Sequence, residues 1–154
     1  MKTLVGIHHT FNELAEEKTT CLTKGDISHL KSLMQKEAVL IKQLQRAEQE
    51  RQRLVFFFMR GKGLQTESGT LTELLPHVQN EEKEQLQSLQ KHLLEEIKRL
   101  KQQNELNQKL LQDSIRFVNL SLDVLQPEPE AGNYARPDKA EDEPQGRSIF
   151  DSKA

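Results

Sequence analysis

The sequence predicts an all-α fold: an elongated antiparallel hairpin of two long helices, a shorter N-terminal helix against it, and a disordered C-terminal tail. Three observations carry this. Apolar residues recur at three- and four-residue steps through three successive segments, the period of a helix with one buried stripe. The longest of these has neither Gly nor Pro from residue 78 to 126. Hydrophobic residues are 34% and charged residues 30% of the chain, and the mean hydropathy is -0.74. That is lean for a round globule but normal for long helices with narrow apolar stripes.

The first helix, over about residues 2–21, places Leu4, Ile7, Phe11, Leu14 and then Cys21 or Leu22 on one face, and Thr23-Lys24-Gly25 ends it. Asp26 or Ser28 can cap the second, whose stripe reads Ile27, Leu30, Leu33/Met34, Ala38, Ile41, Leu44 and Ala47, with Leu54 and Phe57/Phe58 after a polar stretch. Gly61 and Gly63 close it. Residues 64–69 compose a loop. Thr70 reads as the N-cap of a short turn over residues 71–75, stopped before Pro76. The third long helix carries Leu86, Leu89, Leu93, Ile97, Leu100, Leu110/Leu111, Ile115, Val118, Leu122 and Leu125, and spans roughly 70 Å. Two regions follow: a helical domain over residues 1–126 and a flexible, acidic, Pro-rich tail over 127–154, too polar to offset its ordering entropy.

Several function classes are disfavoured. With 154 residues there is one domain and no room for a separate catalytic one. The 22 basic and 24 acidic residues are interleaved and give a net charge of -2, so no basic face points to nucleic acid. No run approaches the ~20 apolar residues of a membrane helix, and two histidines interrupt the N-terminus before a signal-peptide core could form. A cytoplasmic protein without membrane insertion is expected. Cys21, the only cysteine, reads as a small core residue. His8-His9 and His92 with Glu95 and Glu96 complete no metal site at ligand spacing and are expected on solvated helix faces. Gly61-Lys-Gly63 is a turn and not a phosphate loop, and no nucleophile–base pair is suggested. Neither an enzyme nor a cofactor is expected. Phe56-Phe57-Phe58 cannot all face one partner helix. They read as a satellite core under Leu64, Leu71, Leu74 and Leu75, or else as a second contact surface.

Folding the hairpin about residue 69 sets Leu44 opposite about Ile97 and Ile27 opposite about Leu111. The first helix then covers the second from about Ile27 to Leu44. Residues 114–126 overhang the bundle, yet seven of these thirteen are apolar and lie on most faces of the helix. Burying each of these side chains is worth roughly 1.5–3 kcal/mol, so something should pack there. Three occupants fit: the first helix placed further along, a second copy of the chain, or the amphipathic helix of a client protein.

The order of these features is similar to that of a known family. It comprises the short first helix, Gly-Asp opening a second, Leu40-Ile-Lys-Gln-Leu-Gln-Arg-Ala-Glu-Gln-Glu-Arg51, the Thr70-Leu-Thr-Glu-Leu turn, and Asn104-Glu-Leu-Asn-Gln-Lys-Leu-Leu-Gln-Asp-Ser-Ile115. Together these resemble the FlgN family, whose members chaperone the hook-filament junction proteins (hook-associated proteins) to the flagellar export apparatus. The ending Arg147-Ser-Ile-Phe-Asp-Ser-Lys-Ala154 is similar to that of Gram-positive members. The resemblance implies that the end of the third helix binds the helical C-terminus of the client, through Leu111, Ile115, Phe117, Val118, Leu122 and Leu125. It also implies that Tyr134, the only tyrosine, touches the export gate, although Pro127, Pro129 and Pro137 depart from a compact tail. Ile149 and Phe150 offer a point where the tail could dock. The alternative is a structural coiled-coil oligomer, with self-association through the Leu86 to Leu125 stripe. Its weakness is the polar seam formed by Asn104, Asn107, Ser114 and Ser121.

Overall fold

A computed structural model describes residues 1–64 and 69–125. Among them are four α-helices, one 3-10 turn and no strand: α1 (Lys2–Lys24), α2 (Ile27–Gly61), α3 (Leu71–Leu74), the 3-10 turn Leu75–His77, and α4 (Asn80–Leu125).

The predicted punctuation is present. Gly25 adopts φ 69°, a left-handed conformation that a Cβ would strain, and ends α1 three residues beyond the expected point. The Asp26 carboxylate caps α2 by accepting the His29 backbone N–H at 3.0 Å. Thr70 Oγ1 accepts from Glu73 N at 3.4 Å, and Arg51 ties the loop before it to α2 by donating to the Gly69 carbonyl at 2.9 Å. Pro76 does not stop the chain as expected. It sits inside the 3-10 turn, where its missing N–H would have had no partner.

Polar pairs give the helix directions. His9 and Asn12 meet Glu96, Glu16 meets Arg99, and Thr19 meets Gln103 and Asn107, so α1 runs parallel to α4. Lys18 pairs with Glu37 and Glu17 lies near His29, so α1 runs antiparallel to α2. The expected level is kept, because Leu30, Met34 and Glu37 share one cleft with Asn104, Gln108 and Leu111. The position of α1 differs from the expectation. It lies against α4 even more than against α2, and the backbones of α2 and α4 stay apart on either side of it.

The two contacts of α1 differ in chemistry. Toward α2 it is apolar, with Phe11, Leu14 and Cys21 buried against Leu33 and Leu40. Toward α4 it is polar. Asn107, the only buried residue of α4, donates to the Ala15 carbonyl at 2.8 Å and accepts from Thr19 Oγ1 at 2.6 Å. Asn12, also buried, donates to the Glu96 carbonyl at 3.1 Å. His8 departs from the solvated reading: it is half-buried beside Phe11, and burial holds its pKa below the ordinary value. The satellite core exists but centres on Val55 and Met59, with Leu71 and Leu74. Phe58 packs on it, while Phe56 and Phe57 face outward.

Acid sensitivity follows from the cap. The His29 N–H, and then the Ser28 hydroxyl, hold the Asp26 carboxyl below its ordinary pKa, and the Arg51 guanidinium does the same for Glu48. A carboxyl whose folded pKa is depressed stabilises the fold above its unfolded value and ceases to as pH falls through the folded one. The melting temperature should therefore drop below about pH 4. Asp26→Asn, which keeps a cap acceptor but cannot titrate, should show a smaller drop than wild type. An identical acid profile in the variant would remove Asp26 from this account.

Candidate functional site

α1 ends at Lys24 and α2 begins at Ile27, close to the level of Leu111 on α4. From there α4 continues to Leu125 without cover. Each of Leu111, Ile115, Phe117, Val118, Leu122 and Leu125 is at least 45% exposed, and Phe117 and Leu125 exceed 70%. Leu120 and Val124, between them, are exposed as well. This excludes the first alternative, in which α1 sits further along. The helix itself is intact here, and Ser114 and Ser121 hydroxyls donate back to the Leu110 and Phe117 carbonyls at 2.8 Å. The arrangement offers a rigid rod with an apolar surface and no titratable cluster, suited to packing and not to chemistry.

Every sequence-predicted client residue lies on this one segment. Tyr134, Ile149 and Phe150 lie outside the described residues, as does the expected tail over 127–154. Among the described residues no group of three or more His, Cys, Asp or Glu side chains could hold a metal, and no helix is long and apolar enough to cross a membrane.

A second apolar surface was only half legible in the sequence. At the far end of the molecule, Leu54, Val55, Phe57, Phe58, Leu74, Val78, Leu86 and Leu89 line an open groove of about 680 Å³. The Arg53 guanidinium lies 5.4 Å from the Phe57 ring centre and Lys62 Nζ 5.2 Å from that of Phe58. The run of three aromatics signals that some are left over, but not which. Burial of Val55 and Met59, one turn apart, decides it by bringing Phe58 inward between them.

The fold and its bare helix end have counterparts in other proteins. No solved structure matches the chain. It is similar to the uncharacterized protein YvyG of Bacillus subtilis (strain 168), with 31% identity over 155 residues that cover 100% of this chain and 94% of that relative. The model of the family described as FlgN protein matches residues 1–142, which include all five helical elements and the overhang. The chain therefore belongs to the FlgN family of flagellar export chaperones.

Proposed function

We propose that the protein binds the helical C-terminus of hook-associated (hook-filament junction) proteins, keeps them soluble and unassembled in the cytoplasm, and delivers them to the export apparatus. The observation that supports this reading is the uncovered end of α4, an intact helix with exposed apolar residues from Leu111 to Leu125. An amphipathic client helix laid along it buries apolar surface on both partners, and each well-buried Leu, Ile or Phe contributes roughly 1.5–3 kcal/mol. The same client segments would otherwise be free to assemble early. Co-expression with each candidate junction protein, followed by co-purification and a mass measurement, tests the reading. A one-to-one complex is expected, and an α4-mediated oligomer that ignores every junction protein would favour a structural rod.

Tyr134 is assigned the contact with the export gate. A tyrosine offers a rigid apolar ring with a hydrogen-bonding tip at little cost in rotamer entropy, which makes it an effective anchor in a polar segment. Tyr134→Ala should leave client affinity within about twofold, because that energy resides in the apolar helix end, and should impair secretion of junction proteins by cells carrying the variant. Normal secretion would remove the gate role, and lost client affinity would move Tyr134 into the client site.

In the absence of client, Ile149 and Phe150 of the tail shield the overhang weakly. Deleting residues 127–154 should leave the bundle folded and either raise client affinity or promote self-association. Titration calorimetry with unchanged affinity, together with sedimentation showing no new oligomer, would contradict the shielding.

A further inference from the structure

Two apolar rows on the body of the bundle are left without partners. Ile27, Met34 and Ile41 recur every seven residues along α2. The helical stripe predicts them in the core, yet they are 71%, 58% and 47% exposed, because Leu33 and Leu40 turn toward α1 instead. On α4, Ile97, Asn104, Leu111 and Val118 also recur every seven residues, and the three apolar members are at least 40% exposed. Met34 faces Asn104, Gln108 and Leu111 across a cleft of about 280 Å³, which Lys18 and Leu22 of α1 also line. Here α1 is the apex, α2 and α4 are the walls, and the side away from α1 is open.

We propose that this cleft is the second half of the client site, so that the client helix completes a four-helix bundle with α1, α2 and α4. The inference rests on the reading of the overhang given above. Continuity argues for the same occupant, since Leu111 belongs both to the cleft and to the overhang. The overhang alone offers about 15 residues, or ~22 Å, whereas cleft and overhang together present about 22 residues of α4, or ~33 Å. A client helix of about six turns then packs against α4 throughout, and against α2 over its inner half. The chemistry of that half is specified by its lining. Asn104 and Gln108 interrupt the apolar row beside the Lys18–Glu37 ion pair, so the client helix carries a hydrogen-bonding side chain where it passes them. Elsewhere its stripe is apolar.

The test uses the full-length chain and the two full-length hook-filament junction proteins as probes. Met34→Asp and Ile41→Asp sit at exposed positions and should leave circular dichroism and melting temperature unchanged. They should weaken binding of the preferred junction protein tenfold or more. Binding within twofold of wild type, in a protein where Val118→Asp abolishes it, would confine the site to the overhang and overturn this inference alone. Normal binding by Val118→Asp as well would overturn the overhang reading too. A Met34→Cys variant, labelled at that exposed thiol while Cys21 stays buried, should crosslink to the junction protein. Crosslinking instead to a second copy of the chain, with a doubled mass in the free protein, would assign the cleft to self-association and overturn the proposal.

Discussion

Val118→Asp and Leu122→Asp should each abolish client binding while the free protein keeps wild-type helical content. Both side chains are 53% exposed at the end of α4, so a carboxylate at either position is solvated in the free protein and disturbs no core. In the complex the same carboxylate is trapped in an apolar contact without a partner. Central interface residues of this kind commonly carry about 2 kcal/mol or more. Adding an unpaired charge should bring the loss to about 3 kcal/mol, roughly a hundredfold or more in Kd. Titration calorimetry reads the affinity and far-UV circular dichroism reads the fold. A collapse of helicity would instead make these residues part of a folded core.

The opposite pattern is expected at Leu33. It is 0% exposed, the most deeply enclosed apolar side chain of α2, and packs with Phe11, Leu14 and Leu40 where α1 meets α2. Leu33→Ala should cost about 3 kcal/mol, within the range for buried leucines whose surroundings relax only in part. For a chain of this size that lowers the melting temperature on the order of 10 °C. Leu122→Ala should change stability by less than about 0.5 kcal/mol. Differential scanning calorimetry of the pair separates core from client surface. Equal destabilisation by both would mean that the overhang is packed in the free protein.

The caps and ends of the helices were legible in the sequence because each rests on one residue with one physical role. Gly25 occupies the left-handed region, and Asp26 and Thr70 act as acceptors. The level of α2 against α4 was legible because a hairpin fixes it by counting. The overhang followed from the same count, since apolar residues on all sides of a helix end cannot belong to a single stripe.

Two features were not legible. The stripe of α2 admits two phases about a third of a turn apart, and spacing alone does not distinguish Met34 and Ile41 from Leu33 and Leu40. Where α1 sits decides between them, and that position is set by contacts 84 to 92 residues apart in sequence, such as Asn12 with Glu96 and Ala15 with Asn107. Those contacts are polar, and a polar residue on a seam reads from sequence as an interruption. Asn107 reads there as a weakness of the α4 stripe, whereas it is the one residue that α4 buries. Satisfied hydrogen bonds make that burial tolerable, and sequence periodicity carries no information about them.

The central claim is one of location: the client helix packs on the end of α4. Hydrogen–deuterium exchange of the full chain, with and without a bound junction protein, tests it most directly. The last turns of a lone helix open readily, so amides from about Leu111 to Leu125 should exchange fast in the free protein and slow by an order of magnitude or more in the complex. Protection that leaves this segment unchanged and appears instead at the distal groove of Leu54, Phe57 and Leu86 would contradict the account.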